Sequence, residues 1–501
     1  MYRTDVTSSG ASGALVAPGF GQLNAEEINE AAWRPSERQG SVDRARSSAS
    51  GASRGTFLDP TIVLRGDAGA LLIAAVADQF VSLRNSRRKR QARELENEQL
   101  LLSCMLANGL RCQWHRSTPV VAYQRKADAG FYALLNRPKW LSAQAVGRAV
   151  ALLSESGFVE HRVGERGTSS GYSVTRELLT LVEGAGVSER SLGRVLHRQD
   201  LVQLKGRKPK PIFDPFTRTL IRRRADRIHF KSTTETEKWC DDLTAFNEFA
   251  AAQDIAVELP NDVLRRWIAE LNEDEFHTGA KLCRPEVFRN AVYRVFNEGS
   301  PDKPTFEKGG RLVGGWWINA PEEVRSRIKI NGEATAELDY SACHPRMLYN
   351  EQGLEAPSDP YGIPEISALE QREGCEPGAY RPLVKWLTQV LINGRGRPDQ
   401  VPVPSGIKVP DELGLREITK FIQCRHEPIS SSFGSRAGLR LMRVESEIAS
   451  GVVTQARQGG WLALPIHDSF LAQESKKKEL KKIMIEEYEL RMGHKPQITE
   501  K

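Results

Sequence analysis

A β-hairpin predicted between Trp461 and Gln473 constrains this chain more than any other stretch. Two apolar runs flank the polar turn His467-Asp468-Ser469, and this pattern is typical of two short antiparallel strands. Asp468 is the only acidic residue in the stretch, so the hairpin would present a single carboxylate at its tip. An ordinary turn that contains aspartate remains an open alternative, because aspartate is common in turns.

A second carboxylate ends the alternating stretch from Thr335 to Asp339, and a helix is predicted just after it. A carboxylate at a strand end is rigidly aimed and open to solvent, which suits a metal ligand. Aspartate is also a favoured helix N-cap, and the stretch alone favours that simpler role.

A helix between these two stretches carries polar side chains at intervals of four residues. This spacing places Arg381, Lys385, Gln389 and Asn393 along one face. Two cations on one face repel each other unless an anion lies beside them, and a triphosphate would be such an anion. A solvated basic stripe on a surface helix is the alternative.

The bulk composition supports these motifs only weakly. The 501 residues carry a net charge of +7, which fits a polyanionic partner such as nucleic acid. The seven cysteines form no C-x-x-C pair, so neither a zinc module nor a disulfide framework is indicated. No apolar run is long enough to span a membrane, and a cytoplasmic protein without a membrane partner is expected.

The region before residue 185 carries a second pattern. A short helix is predicted over 129–136, then a helix capped by Ser142, a strand over 158–163, a polar loop over 164–171 and a returning strand over 172–175. This order resembles a winged helix. The resemblance implies that the helix enters the DNA major groove and that Arg148, Arg162 and Arg166 contact DNA. Many winged helices contact only proteins, so that alternative remains open.

The order of the stretches beyond Phe296 resembles the family A DNA polymerases and the single-subunit RNA polymerases of phages and mitochondria. Their motif A has the pattern D-Y-S-x-x-E-x-R-x-L. Asp339, Tyr340, Arg346 and Leu348 match it in register, whereas His344 stands in place of the glutamate.

The other motifs of this family match in part. Motif B has the pattern R-x3-K-x3-F-x3-Y-G, which Arg381 and Lys385 follow and from which Gln389 and Asn393 depart. His467-Asp468-Ser469 follows the motif C of the RNA enzymes. Upstream, the segment Gly309 to Leu312 resembles the T-G-R-L segment, and Asp359-Pro-Tyr361 lies where members carry D-x-[HY].

The resemblance implies a role for each matching residue. Two Mg²⁺ ions, for which Mn²⁺ can substitute, would be held by the carboxylates of Asp339 and Asp468 and by the carbonyl of Leu338 or a neighbour. The implied nucleotide-binding residues are Tyr340, His344, Arg381, Lys385, Gln389 and Asn393. Lys385 would also protonate the departing pyrophosphate, which makes it catalytic together with the two aspartates. Arg311, Arg346 and His467 would contact the primer and template.

The implied fold class is α+β: a right-hand polymerase, with an antiparallel β palm and helical fingers and thumb, preceded by a winged-helix-like domain. The expected domains are a disordered segment (1–55), a helical and winged-helix-like nucleic-acid-binding domain (56–185), a basic linker (186–235), a helical thumb-like region (236–300) and the polymerase palm and fingers (301–501).

The predicted activity is metal-dependent, template-directed nucleotidyl transfer onto a 3′-hydroxyl, with a nucleic acid template and primer and nucleoside triphosphates as partners. A bulky His344 favours exclusion of the 2′-hydroxyl and hence DNA synthesis, whereas Asn393 and Ser469 point towards the RNA enzymes. An RNA polymerase or primase is therefore one alternative. A catalytically inactive nucleic-acid-binding initiator or regulator is another.

Overall fold

The computed structural model describes residues 56–83, 92–115, 119–125, 141–165, 169–196, 198–209, 212–214, 219–221, 225–271, 291–394, 398 and 401–501. The segment 1–55, the short helix expected over 129–136 and Arg166 lie outside these ranges. The described part is a mixed arrangement of helices and sheets. Every helix in it is too short or too polar to span a lipid bilayer.

The first part of the chain folds around its own hydrophobic core, which runs from Leu58 to Leu192. Its elements are β1 (Thr56–Phe57), β2 (Ile62–Leu64), α1 (Gly66–Leu83), α2 (Ala92–His115), β3 (Val121–Tyr123), α3 (Ala143–Glu155), β4 (Val159–Arg162), β5 (Ser170–Val174), α4 (Arg176–Gly184) and β6 (Leu192–Arg194). Four strands form a sheet in the order β1-β3-β5-β4, and β2 pairs with β6.

The helix and hairpin predicted in this part are confirmed as elements. Ser142 caps α3, since its side chain accepts a hydrogen bond from the Ala145 amide at 3.1 Å. Gly157 follows the helix with a φ of 74°, a conformation that glycine adopts without strain. The chain then enters the antiparallel pair β4 and β5.

The rest of the chain builds a larger core that runs from Leu201 to Tyr488. Its strands are β7 (Val202–Lys205), β8 (Ile212–Asp214), β9 (Thr219–Ile221), β10 (Arg227–Ile228), β11 (Ile255–Val257), β12 (Tyr293–Phe296), β13 (Gly309–Val313), β14 (Ile328–Ile330), β15 (Glu333–Tyr340), β16 (Leu464–Ile466), β17 (Ser469–Gln473) and β18 (Ile498–Glu500). Its helices are α5 (Arg198–Leu201), α6 (Thr234–Ala251), α7 (Asn261–Leu271), α8 (Glu322–Arg325), α9 (Cys343–Glu351), α10 (Pro364–Arg372), α11 (Arg381–Asn393), α12 (Leu415–Arg425), α13 (Gly438–Gln458) and α14 (Lys477–Met492).

Two sheets organise this second part. One has the order β10-β7-β12-β13, and the other has the order β11-β14-β15-β17-β16, with β18 also paired to β15. Part of the segment 186–235, expected as a basic linker, is built into sheets. Its strand β6 belongs to the first part of the chain, and β7 and β10 belong to the second.

Two adjacent tryptophans connect the second core to the predicted hairpin. Trp316 and Trp317 are buried, and the Trp317 indole N–H donates to the Pro465 carbonyl at 3.1 Å. Both tryptophans are core residues, and the Trp317 hydrogen bond attaches strand β16 of the hairpin to this core. A third cluster of buried side chains lies among α10, α11 and α12.

Candidate active site

The two aspartates singled out by the sequence lie side by side at one end of a sheet, Asp339 on β15 and Asp468 in the turn that leads into the adjacent strand β17. Asp339 is the second-last residue of β15, and its Cα partner in β17 is Ser469. The Tyr340 amide donates to the Asp468 carbonyl at 3.1 Å. The N-cap position of α9 is Ala342, so the alternative that Asp339 caps this helix is wrong.

Asp468 occupies the tip of the predicted hairpin. Ile466 pairs with Ser469 across the turn, so only His467 and Asp468 connect the two strands. His467 has a φ of 57°, which lies in the left-handed region that allows a tight connection. Asp468 is therefore a turn residue, and this turn lies beside Asp339.

The pKa of Asp339 reflects both its burial and the neighbouring charge of Asp468. Burial, together with repulsion from Asp468, raises the pKa of Asp339 to about 7. Like charges that share a site disfavour ionisation, and a cation between them relieves that penalty. A bound cation would therefore stabilise the ionised forms of Asp339 and Asp468.

A cation of the chain itself already lies at this position. The Lys501 Nζ is 3.3 Å from Asp339 Oδ2 and 3.5 Å from Glu337 Oε1. Burial lowers the pKa of Lys501, but attraction to Asp339 and Glu337 outweighs burial, and the net pKa is raised. The ammonium group acts as a stand-in ion, which shows that the acidic group accepts positive charge.

Glu337 is a third acidic residue of the site that the sequence analysis missed. It is buried on the same face of β15 as Asp339, two residues earlier. Its carboxylate accepts hydrogen bonds from Ser469 Oγ at 2.8 Å and from Arg325 Nε at 2.9 Å. The two-residue period of the strand was the available signal, and it would have placed Glu337 beside the predicted metal ligand.

The helix expected over 381–393 is confirmed, with the bounds of α11. Burial lowers the pKa of Lys385, and attraction to Asp468 and Asp339 opposes this shift, so the ammonium group is within electrostatic reach of both aspartates. Arg381 is exposed and forms an ion pair with Asp359 at 2.9 Å. The predicted polar face thus has one cation near the carboxylates and one at its outer end.

The two residues that depart from the motif B pattern bond to each other. The Asn393 amide group donates to the Gln389 carbonyl at 2.9 Å and to its Oε1 at 3.3 Å. Tyr361, whose buried ring lies 5.3 Å below the Arg381 guanidinium, has a side-chain hydrogen bond with Gln389. Burial raises the pKa of Tyr361 to about 12, so it is a neutral hydrogen-bonding group beside this face.

His344 and Arg311 meet at one buried carboxylate. His344 Nε2 and Arg311 Nη2 lie 2.8 and 2.7 Å from Glu445 Oε2. Burial would raise the pKa of Glu445, but the Arg311 charge and the His344 hydrogen bond lower it to about 2. Because an ionised carboxylate can only accept, the Nε2–H group of His344 donates a hydrogen bond to Glu445. Glu445 gave no signal in the sequence, because it lies on α13, outside the recognised motifs.

Three other predicted site residues make contacts mainly with the protein backbone. The Tyr340 hydroxyl donates to the Met484 carbonyl at 2.6 Å inside the core, so the structure does not bring this side chain to the site. Arg346 donates to the Ser341 and Ser358 carbonyls at 2.9 and 2.8 Å. Leu338 pairs with Phe470 on one side and with Glu500 on the other.

The predicted DNA-binding residues belong to the first part of the chain. Arg148 is exposed on α3, and Arg162 is exposed at the end of β4. Arg166 lies outside the described residues, so only two of the three can be placed.

The donor set fits magnesium better than a closed structural metal site. In the described part of the chain, no three His, Cys, Asp or Glu side chains are grouped to hold a metal ion. Magnesium is commonly bound by one or two carboxylates, with substrate phosphates and water completing its six oxygen ligands. Asp339 near the end of β15 and Asp468 in the adjoining turn, with Lys385 within electrostatic reach, provide such a partial set.

Comparisons with known proteins add little to this geometry. No family model and no curated protein matches the chain. One solved structure that is similar is described as the POL domain of Pol1 from M. smegmatis in complex with a DNA primer-template and dNTP. The identity is 11% over 87% of this chain and 66% of that chain, with a TM-score of 0.26. A likeness this slight carries no argument about fold or activity.

Proposed function

We propose that this chain is a metal-dependent, template-directed nucleotidyltransferase similar to the family A polymerases, and that it extends a 3′-hydroxyl with dNTPs. One observation carries the proposal: Asp339 on β15 lies beside Asp468 in the β16–β17 turn, and both interact electrostatically with Lys385 on α11. Motif order in the sequence led to the same three residues independently.

The side chains would divide the work of phosphoryl transfer. Magnesium, when bound, supplies charge neutralisation of the triphosphate and activation of the attacking hydroxyl. Asp339 and Asp468 would hold it, and Lys385 would bind the triphosphate and donate a proton to the leaving pyrophosphate. The lowered pKa of Lys385 suits a proton donor better than an ordinary lysine. Arg381 would leave its ion pair with Asp359 and bind a phosphate oxygen of the nucleotide instead.

The proposed preference for dNTPs depends on the imidazole of His344. Its imidazole is fixed by Glu445 and is buried, so it is a rigid obstacle rather than a mobile side chain. A rigid group of this size suits exclusion of a 2′-hydroxyl. RNA synthesis by the same site is the alternative, since Asn393 and Ser469 depart from the DNA enzymes.

Primer extension by the purified chain with Mg²⁺ tests the proposal. We expect a primer on a DNA template to be extended with dNTPs, and Asp339→Asn or Asp468→Asn to lower the rate by about 10³-fold or more, since each removes several kcal/mol of charge stabilisation. Asp302→Asn, at an exposed position of the same part of the chain, is the control.

Each other outcome excludes a specific claim. Extension with NTPs alone would show that the site makes RNA and that the dNTP assignment is wrong. No extension with either nucleotide set, in a folded protein that binds DNA, would favour the inactive initiator or regulator. Full activity in both aspartate variants would exclude the metal site itself.

We also propose that the first part of the chain binds duplex DNA as a winged helix. The order α2, β3, α3, β4, β5 and the sheet order β3-β5-β4 support this, as do the exposed arginines Arg148 and Arg162. A polymerase joined to a DNA-binding unit suits replication of a mobile element, where one chain locates its own origin.

A further inference from the structure

Lys501 is held beside the proposed metal ligands by the backbone as well as by charge. The strand β18 pairs with β15, and Thr499 is the Cα partner of Asp339. The Lys501 amide donates to the Glu337 carbonyl at 3.1 Å, which continues the pairing by one residue. The position of Lys501 is therefore fixed by the sheet, and its side chain does not reach the site by chance.

The Lys501 ammonium group contacts two carboxylates at once. It lies between Asp339 Oδ2 and Glu337 Oε1, and about a third of its side chain is exposed. Glu337 has a second cationic partner in Arg325, at 2.9 Å. Among the residues that the structure describes, Lys501 is the ion-pair partner of Asp339, so Lys501 is its main counter-ion.

The other charged groups that face Lys501 come from two further elements. Asp468, on the β16–β17 turn, attracts the ammonium group, and Lys385 on α11 and Lys501 repel each other. A divalent ion between Asp339 and Asp468 would add two more positive charges to this neighbourhood. Like charges a few ångströms apart in a half-buried site repel strongly.

We propose that Lys501 is an internal counter-ion of Asp339 which a divalent ion must displace, so that Lys501 sets how tightly the site binds metal. This rests on the proposed function, because it takes Asp339 and Asp468 as the metal ligands. Lys501 is a positioning residue: it holds the Asp339 carboxylate in place before metal binds, and its side chain swings towards solvent when metal arrives.

Metal binding without nucleotide or DNA isolates this role from catalysis. Mn²⁺ alone is titrated into the full chain, and free Mn²⁺ is followed by electron paramagnetic resonance. We expect Lys501→Gln to bind Mn²⁺ on the order of tenfold more tightly than the native chain, because the competing charge is removed. Lys501→Arg keeps the charge and should bind as the native chain does.

The matched control is Lys495→Gln, which removes one positive charge at an exposed position just before β18. It should leave the affinity within about twofold, since the charge of an exposed side chain is screened by solvent and salt. A tighter affinity in both glutamine variants would show a general charge effect and would overturn the proposal. Unchanged or weaker binding in Lys501→Gln alone would also overturn it, because Lys501 would then be a structural ion pair.

Failure of the inference and failure of the proposed function give different results. If the native chain binds no Mn²⁺, or if Asp339→Asn binds it as well as the native chain does, the metal site is wrong and the inference falls with it. If Asp339→Asn abolishes binding while Lys501→Gln has no effect, the metal site stands and only the role of Lys501 is wrong.

Discussion

At the scale of single residues, Glu445 shows how a buried charge can hold two functional side chains. One carboxylate oxygen is shared by Arg311 and His344, which the resemblance places at the primer terminus and at the sugar. Its position on α13 means that these two groups cannot move independently. A substitution at Glu445 should therefore disturb the proposed contacts to both the primer terminus and the sugar of the nucleotide.

Replacing Glu445 by glutamine should destabilise the second part of the chain by about 3 kcal/mol. The reason is that the substitution removes the negative charge that compensates the buried charge of Arg311. Urea unfolding at neutral pH measures the loss. Glu351→Gln is the control: Glu351 pairs with the half-exposed Arg440 at 2.8 Å, and its loss should change stability by less than about 1 kcal/mol.

The effect of Glu445 should depend on pH in a defined direction. Its pKa is about 2 in the folded protein, below the ordinary value of 4.5, so the ionised carboxylate stabilises the fold above about pH 4.5. That contribution is lost as the pH falls towards 2. The stability difference between native chain and Glu445→Gln should narrow over this range, and a difference that stays constant from pH 7 to pH 3 would contradict the assignment.

At the scale of elements, α11 and α13 pack closely at a single glycine. A Cβ atom at Gly438 would lie 1.7 Å from the Asn393 Oδ1 atom. Asn393 cannot rotate away without loss of its hydrogen bonds to Gln389. Gly438 therefore fixes the end of the helix that carries the proposed triphosphate-binding residues.

Substitution Gly438→Ala should displace Asn393 and raise the KM for the nucleotide several-fold, with a stability loss of about 1–3 kcal/mol from overpacking. Affinity for Mn²⁺ should not change, because the aspartates lie on other elements. Steady-state kinetics and unfolding measure the two effects. Gly147→Ala, where a Cβ in α3 meets nothing within 4 Å, should instead stabilise by about 0.4–1 kcal/mol.

The elements that sequence analysis predicted are those specified by neighbouring residues. The hairpin around Asp468, the helix face of Lys385 and the Ser142 cap each depend on short-range pattern and turn chemistry. Glu445 and Lys501 could not be predicted, because their partners are distant in sequence. The contacts of Tyr340 could not be predicted for a related reason: a motif match assigns a residue type to a site, whereas packing against Phe470 and Tyr488 decides where its side chain lies.

At the scale of the whole molecule, two separate cores imply two separable tasks. The first core ends near Leu192 and the second begins at Leu201, so in the described residues the chain passes from one to the other within a few positions. The two proposed activities, binding of duplex DNA and extension of a primer, should therefore respond to different substitutions.

The double change Arg148→Ala and Arg162→Ala should weaken binding of duplex DNA and reduce the salt dependence of binding by about one counter-ion per arginine. Extension of a short primer-template should be unaffected. Fluorescence anisotropy at several salt concentrations gives the slope. Arg176→Ala, an exposed arginine at the start of α4, is the control, and equal losses in both proteins would contradict a specific α3–β4 surface.

The placement of β15 between β17 and β18 also determines when the site can form during synthesis. Ser469 and Glu337 are 132 residues apart, and Glu500 pairs with the same strand. At a translation rate of roughly 5–20 residues per second, about ten to thirty seconds pass between the synthesis of β15 and that of β18. During this interval β15 lacks two of its strand partners, and an unpaired strand edge can associate with other chains. The acidic pair is therefore assembled late, by long-range pairing that is intrinsically slow, after the helices around it have had time to form.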